Sequence, residues 1–363
     1  MKKYKKSIIG LVIVLVVIII GVSFNSSNNN QGGSVNIGVI TPLSGLISGG
    51  DNLGEGFANG VTLAKEEYAK AHPDKKINVF IEDDNFDSKR GASAYQKLVS
   101  IDKIDMLINL SSPTIDVISK DLHNSTMPVL QLGAESEPIA DNIYQIYPDQ
   151  TAVGIMGDVA NTDGTKKVVI VMQQFKAYEK FVSDFTKAYK GEVEIQRIST
   201  TEKDMSSVAL KIKESNPDSI LVFMLAKDGA KLISKLKDFN AVPKQMYFDI
   251  NLQFGLADYK AVLGNLNVLN GSKGLYSAAE TTKDFQERYK SRFNQPESML
   301  SGFGYDAYMT AVNTYDKDQS KWRSNMQNYK GEGVTGKISF DSIGMRPAQF
   351  KICEVVGGEL VVK

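Results

Sequence analysis

Cysteine is nearly absent from this sequence: a single residue, Cys353, occurs among 363. An intrachain disulfide is therefore impossible, and a metal site built from several cysteines is excluded. Cys353 lies in a late apolar run, where a lone cysteine more often packs as a small hydrophobic side chain than acts as a nucleophile. We therefore expect the fold to be stabilised by its hydrophobic core without covalent cross-links.

Histidine is also scarce, with only His72 and His123 in the chain. Both have charged neighbours in segments predicted to be helical, which is typical of solvated side chains. A Ser-His-Asp triad and a two-histidine zinc site are disfavoured in consequence. Because no clear nucleophile is left, the sequence argues against a hydrolase, and we predict a protein that is not an enzyme.

Neither sign of charge dominates, since 42 Lys and Arg balance 42 Asp and Glu. Four lysines lie in the first six residues and no acid occurs before Asp51, so the chain beyond residue 30 has four more acids than bases. A nucleic-acid-binding protein normally presents a clustered basic face. We therefore predict that the protein has no nucleic-acid partner.

The N-terminal segment, MKKYKKSIIGLVIVLVVIIIGVSF, places a long apolar run behind a basic start. Residues 1–24 are predicted to be a signal peptide or a membrane anchor. The run Ile8–Phe24 reaches the lower limit of about 17 residues for a membrane span, and its small-residue cleavage site is weak, so both outcomes stay open. The polar residues 25–34 are predicted to form a flexible tether. Either outcome places the rest of the chain outside the cytoplasm.

Past the tether, short β-branched runs alternate with amphipathic stretches, which is typical of parallel sheets in α/β proteins. The predicted strands are 35–40, 77–81, 105–110 and 129–132, followed by 167–172, 193–198, 219–225 and 245–250. The pattern restarts after YQIYPDQT, so we predict two α/β lobes. The late strands in GKISFD and FKICEVVGGELVV have no helix between them, which indicates that the chain crosses back between lobes.

A glycine-rich stretch near the N-terminus approaches the GxGxxG motif of dinucleotide-binding proteins. Gly54, Gly56 and Gly60 follow strand 35–40 at too great a distance, and Asn59 stands where the third glycine should be. In a Rossmann turn the glycines follow the first strand at once, because they bend the backbone beneath a pyrophosphate. We therefore predict no dinucleotide and no other cofactor.

An acidic cluster, Glu82, Asp83, Asp84 and Asp87, follows the second predicted strand. Acids in this position more often cap a helix and bind loop amides than hold a cation. Asp87 or the adjacent serine is predicted to cap the next helix. The sequence accordingly predicts no metal site.

The segment NLSSPTIDVIS places two serines between a strand and a helix. Ser112 with Pro113 is predicted to form the N-cap and the first turn. Backbone N–H groups at a helix N-terminus can also bind a carboxylate or a phosphate, and the two roles are compatible. Since ligands of open α/β sheets bind outside the carboxyl ends of the strands, the loops after Ile40, Leu110 and Leu132 are expected to line one rim.

Several segments together resemble one family, the type I periplasmic binding proteins, in the branch of ABC-transporter receptors for branched-chain amino acids and amides. The similar segments, in order, are IGVITPLSG, EDDNFDSKRGASAYQKLV, NLSSPT, NPDSILVF, GYDAY and GKISFDSIG. The resemblance extends from Val35 to Val362. It implies two Rossmann-like lobes with parallel sheets, joined by three hinge crossovers that we place near Pro148, Leu275 and Tyr329.

These crossovers divide the chain into an N-terminal lobe, residues 35–149 and 276–329, and a C-terminal lobe, residues 150–275 and 330–363. By the same resemblance, Gly45, Gly54 and Gly60 shape a loop over a ligand cleft and the helix below it.

The resemblance also implies ligand-binding residues in the N-terminal lobe. The Ser112 hydroxyl matches a group that meets the ligand carboxylate, with Ser111 beside it and the Thr114 backbone nearby. Gly133 matches a position whose backbone contacts the ligand. Glu135 replaces the usual threonine; if it points inward, it favours a ligand with a second cationic or amide group.

Two residues of the C-terminal lobe are implied by the same match. Tyr178, in AYEKF, matches the tyrosine of a family Tyr-Gly turn, although Glu179 replaces the glycine. Asp228, in LAKDGA, falls where an acid holds the ligand's ammonium group. The resemblance therefore implies a monomeric extracytoplasmic protein that binds an amino acid or a related amide and delivers it to an ABC permease in the membrane. A membrane-tethered sensor that uses the same closure stays open as the alternative.

Overall fold

The structure is a computed structural model that describes residues 34–44, 53–132, 140–148, 153–277, 281–347 and 350–363. The predicted export segment and most of the predicted tether lie outside these residues. Within the described ranges, no helix combines the length and the apolar character that crossing a membrane requires.

In the described part of the chain, the first lobe is built on a six-stranded parallel sheet with the order β13-β5-β4-β3-β1-β2. Its strands are β1 (Val35–Thr41), β2 (Ile77–Asp83), β3 (Met106–Asn109), β4 (Val129–Gln131), β5 (Ile143–Pro148) and β13 (Met345–Arg346). Its helices are α1 (Leu53–Ala71), α2 (Ser88–Ser100), α3 (Ser112–His123), α10 (Lys283–Phe293), α11 (Ser301–Thr314) and α12 (Gln319–Gln327). The central strands β1, β3 and β4 are largely buried, which is typical of a parallel sheet with helices on both faces.

The second lobe contains, over the same described ranges, a seven-stranded sheet with the order β15-β14-β10-β9-β8-β6-β7. Its strands are β6 (Lys167–Gln173), β7 (Glu192–Ile198), β8 (Ser219–Phe223), β9 (Gln245–Phe248), β10 (Lys273–Ser277), β14 (Phe350–Val356) and β15 (Glu359–Val362). Its helices are α4 (Gly154–Thr162), α5 (Lys176–Ala188), α6 (Ser206–Ser215), α7 (Ala226–Asp238), α8 (Asn251–Phe254) and α9 (Leu256–Leu263). The last two strands are antiparallel, which accounts for late strands without an intervening helix.

Sheet membership shows where the chain passes between the lobes. The first passage comes after Pro148, the last residue of β5, and the second comes after Ser277, the last residue of β10. The third does not lie near Tyr329. Hairpin β11 (Gly331–Gly333) and β12 (Gly336–Ile338) is followed by β13, which pairs with β5, so the chain enters the second sheet only after Arg346. A two-residue strand carries too little periodicity to be predicted from sequence.

Buried charges hold this last part of the first lobe. Asp306, on α11, accepts hydrogen bonds from the backbone N–H groups of Val334 and Thr335, at 2.8 and 2.9 Å. Arg346 donates to the Thr335 carbonyl at 2.9 Å and to the Ile146 carbonyl of β5 at 3.3 Å. Because β5 and β13 both lead into passages between the lobes, these bonds fix the chain at two of the hinges.

The glycines of the near-GxGxxG stretch lie in α1, where they permit close packing. A methyl group at Gly60 would lie 1.9 Å from the Ser301 carbonyl oxygen of α11, and one at Gly54 would lie 1.9 Å from the Pro42 carbonyl oxygen. Backbone approaches this close leave no room for a Cβ atom. Gly54 therefore permits the close approach of Pro42 to α1, and Gly60 that of α11. Their part in a loop over a ligand cleft stays a prediction, and Gly45 lies outside the described residues.

Candidate functional site: a cleft between the lobes

A cavity of about 460 Å³ lies between the two lobes. Each sheet has a point where the strand order reverses, between β1 and β3 in the first and between β6 and β8 in the second. Ligands of open α/β sheets bind outside the carboxyl ends of the strands at such points. The first lobe contributes the loop after β2 and the start of α3, and the second contributes the loops after β6, β7 and β8. Both lobes thus present loops at the carboxyl ends of their strands to one cavity. Of the loops expected to line the rim, the one after Leu110 does so, while those after Ile40 and Leu132 lie largely outside the described residues.

The serines at the start of α3 are divided between two roles. The N-cap is Ser111 and not Ser112: its backbone is extended, at φ −96° and ψ 121°, and its side chain makes no capping bond. Ser111 is fully buried, and its Oγ has no partner within the described ranges. Ser112 begins the helix and lines the cavity. The sequence identified the correct turn but placed the cap one residue late.

Thr114 faces the interior of the first lobe. It is fully buried, and its hydroxyl donates a short hydrogen bond to Asp84, which is itself fully buried. Asp84 also accepts from the Phe86 backbone N–H at 3.2 Å. The Thr114 side chain therefore ties α3 to the loop after β2.

The acidic cluster binds the protein's own loops and helices. Asp87 caps α2 by accepting from the backbone N–H groups of Lys89 and Arg90, each at 3.0 Å. Burial disfavours ionised Asp83, but hydrogen bonds from Ser44, Asn85 and the Leu43 backbone outweigh it and lower its pKa. Among the described residues, no group of three or more acidic, histidine or cysteine side chains could hold a metal ion.

Tyr178 reaches the cavity from the second lobe, where it lies in the first turn of α5. Its ring stacks on Phe223, with centroids 5.8 Å apart, and its hydroxyl accepts a hydrogen bond from the Asn251 side chain at 2.9 Å. Burial raises its pKa well above the ordinary value, so the phenol is neutral at physiological pH. The residue offers the cavity a rigid ring with an oriented hydroxyl group.

Asp228 is buried near the start of α7, but it is not among the residues that line the cavity. Its two carboxylate oxygens bind partners in the same lobe. Gln173 donates to Oδ2 at 2.9 Å, and the Lys231 ammonium group lies 2.7 Å from Oδ1. Its charge is thus neutralised within the lobe, and its contact with a ligand stays a prediction.

A second acid, Asp249, directly follows β9 and is not among the site residues predicted from the sequence. It is 2% exposed, and it accepts hydrogen bonds from the Asn251 backbone N–H at 2.9 Å and from the Asn251 amide at 2.8 Å. No cation lies within ion-pair distance of it among the residues described. Burial raises its pKa to about 7. Since Asn251 also bonds Tyr178, this acid is one side chain away from the cavity wall. The predicted strand 245–250 included Asp249, whereas β9 ends at Phe248, so the sequence did not place this acid at a strand end.

Gly133 and Glu135 lie outside the described residues, so their predicted ligand contacts stay predictions. The described part of the site therefore consists of a hydroxyl-bearing helix N-terminus in one lobe, and of an oriented tyrosine backed by a buried acid in the other. Two α/β lobes with a ligand-sized cavity at their facing rims define a two-lobed binding protein.

The chain belongs to the periplasmic binding protein family, whose family model matches residues 34–350. It is a family of binding proteins, located outside the cytoplasm. The sequence identification of the family and of the two-lobed α/β fold is confirmed.

Solved structures with the same fold cover nearly the whole chain. A leucine-binding protein, LivK of Thermotoga maritima, is 18% identical with a TM-score of 0.77, and the match covers 91% of this chain and 97% of that one. The substrate-binding protein LivJ of Streptococcus pneumoniae, in complex with isoleucine, is 19% identical with a TM-score of 0.76, covering 91% and 100%. An ABC-transporter solute-binding protein of R. palustris, in complex with 4-hydroxybenzoate, is 17% identical with a TM-score of 0.79, covering 91% and 96%.

Proposed function

We propose that the protein is an extracytoplasmic, monomeric solute-binding protein that captures an amino acid or a related amide and passes it to an ABC permease. The observation that carries this proposal is the cavity to which both lobes contribute their strand-end loops. A ligand that fills such a cavity contacts both lobes only when they are close together. Binding and closure are therefore one event, and the closed form is what a permease can distinguish from the open one.

The polar groups suit a zwitterion. The N-terminus of α3, with Ser112, offers N–H and hydroxyl groups to a carboxylate, and the helix dipole favours negative charge there. On the other side, the second lobe holds two acids, Asp228 and Asp249. Neither acid lines the cavity. We assign the ligand's cationic group to the wall that Asp249 backs through Asn251 and Tyr178, because Asp228 already pairs with Lys231 whereas no described cation balances Asp249.

Aromatic acids are the competing ligand class. Phe86, Phe175 and Tyr178 line the cavity with three rings, and a similar R. palustris protein is described in complex with 4-hydroxybenzoate. An aromatic carboxylate would bind the α3 N-terminus and pack on the rings, but it would leave Asp249 without a cationic partner. The two ligand classes therefore differ in one requirement: an amino acid or amide binds through its ammonium group, and an aromatic acid has none.

A thermal-shift screen of the full-length protein tests the proposal. The panel contains amino acids, amides, polyamines and benzoates, with sugars and nucleotides as controls of other chemistry. A ligand at a hundredfold excess over its Kd stabilises a protein by about 2.7 kcal/mol, enough to raise the Tm by several degrees. We expect such a shift from an amino acid or amide that carries a free ammonium group. Stabilisation by a sugar or nucleotide alone would contradict the proposed ligand class.

Ser112→Ala tests the site once a ligand is known. Loss of one hydrogen bond to a charged group weakens binding by about 1.5–3 kcal/mol, or roughly 10- to 150-fold, as measured by isothermal titration calorimetry. The free energy of unfolding of the Ser112→Ala variant should change little, because the N-cap residue of α3 is Ser111 and not Ser112. Ser119→Ala, in the same helix but outside the cavity, is the matched control. Equal affinities of the Ser112 and Ser119 variants would remove Ser112 from the site.

A further inference from the structure

Two pairs of side chains join the lobes directly at the cavity. The Phe86 ring of the first lobe meets the Phe175 ring of the second edge-on, with centroids 6.0 Å apart and planes at 68°. Beside them, the Lys176 ammonium group lies 2.8 Å from an Asp116 carboxylate oxygen. All four residues line the cavity. We call these four residues the latch.

The first-lobe half of the latch is held in place before the lobes meet. Phe86 has φ +55°, in the left-handed region that an aromatic residue rarely adopts, and Asn85 before it has φ +53°. Backbone strain of this kind persists only where the surroundings enforce it. Here Asp83 and Asp84 accept hydrogen bonds from these two strained backbone N–H groups, at 2.9 and 3.2 Å. The Phe86 ring is therefore presented to the cleft by bonds within its own lobe.

The second-lobe half is equally fixed. Phe175 is the N-cap residue of α5, and its backbone N–H donates to the Gln173 carbonyl at 2.7 Å. Its ring packs edge-on against Tyr178, with centroids 5.6 Å apart, and Tyr178 in turn stacks on Phe223 of β8. The ring that touches Phe86 is thus continuous with the core of the second lobe.

We propose that the latch stabilises the closed cleft without any ligand, so that the free protein already populates a closed form. The reason is that both contacts are made by protein groups alone, and both are lost when the lobes separate. An edge-to-face aromatic pair and an exposed ion pair each favour the state that contains them by a modest factor. Together the two contacts favour the closed over the open state of the cleft by about tenfold. The latch acts on the cleft of the proposed function, yet it operates in ligand-free protein.

Single-molecule Förster resonance energy transfer, measured on the full-length, ligand-free protein, tests the latch. Dyes are attached through Lys120→Cys on α3 and Ser183→Cys on α5, two exposed positions on the helices that carry Asp116 and Lys176. The native Cys353 is fully buried and does not compete for the dye. We expect a high-transfer, closed population in the free protein. In Phe175→Leu/Lys176→Gln, the ratio of closed to open molecules should fall about tenfold.

Matched variants separate the latch from general effects on the helix. Lys180→Gln, on the same helix, removes an ion pair with Asp184 that lies within one lobe and should leave the distribution unchanged. Exchanging the charges, Asp116→Lys with Lys176→Asp, should restore closure that either single change reduces. Identical distributions in the unsubstituted protein and Phe175→Leu/Lys176→Gln, or an equal loss in Lys180→Gln, would overturn the proposal. Neither result would bear on whether a ligand binds in the cleft, because no ligand is present.

Discussion

Asp249 makes the stability of the protein depend on pH in an unusual direction. Its carboxylate is 2% exposed, and its described partners are the uncharged donor groups of Asn251. Burial raises its pKa from 3.8 to about 7, whereas an aspartate in an unfolded chain titrates near 3.9. Between about pH 4 and pH 7 the folded protein therefore holds a proton that the unfolded chain has lost.

The sign and size of the effect follow by linkage. Because the folded state binds the additional proton, the free energy of unfolding falls as the pH rises from about 4 to about 7, and it is flat above. A shift of about three pKa units corresponds to about 4 kcal/mol, at about 1.36 kcal/mol per unit. Asparagine is neutral at every pH, so Asp249→Asn removes this pH-dependent fall in the free energy of unfolding. The variant should gain up to about 4 kcal/mol over the unsubstituted protein between pH 4 and pH 8.

Urea titrations followed by circular dichroism at pH values from 4 to 8 measure this difference. Asp218→Asn is a control of opposite sign: backbone N–H groups of Lys166 and Lys167 bind the Asp218 carboxylate and lower its pKa. That variant should be less stable at neutral pH, and its deficit should vanish as the pH falls through the acid range. If the Asp249→Asn curve runs parallel to that of the unsubstituted protein, Asp249 is not a buried, uncompensated acid.

Two further predictions concern packing and thiol chemistry. Gly60→Ala should cost about 1–3 kcal/mol in urea unfolding, because the new methyl group would lie 1.9 Å from the Ser301 carbonyl oxygen; unchanged stability would mean that α1 and α11 are not in close contact. Cys353 is fully buried and its pKa is raised to about 11 by burial, so a thiol reagent should label it only on unfolding. Labelling of the folded protein at the rate of a free thiol would contradict its buried position on β14, beside β10.

The sequence was most informative where a local pattern decides the structure. Buried β-branched runs predicted eight strands of the two lobes to within a few residues, because a strand covered on both faces has few alternatives, whereas β5 and β10 were missed. Asp87 is the helix cap and was one of the two residues predicted for that role, since capping depends on residues one turn apart. These features require no knowledge of what lies across the lobe.

Other features depend on contacts that are distant in sequence. Strand β13 forms because Met345 pairs with β5, and its two residues carry no sequence pattern that predicts this pairing. The difference between Asp228 and Asp249 rests on Lys231, which balances one acid and not the other. Phe86 and Phe175 meet only because two lobes face each other. The third passage between the lobes, the uncompensated acid and the latch could not be predicted for this common reason.

In the proposed function a single ligand contacts both lobes, and hydrogen exchange measured by mass spectrometry with a ligand from the screen tests this most directly. Binding should slow exchange together in residues 111–116 of the first lobe and 174–178 of the second. The surface around His123, at the far end of α3, should be unaffected. Protection confined to one lobe at saturating ligand would place the ligand within that lobe and contradict the account.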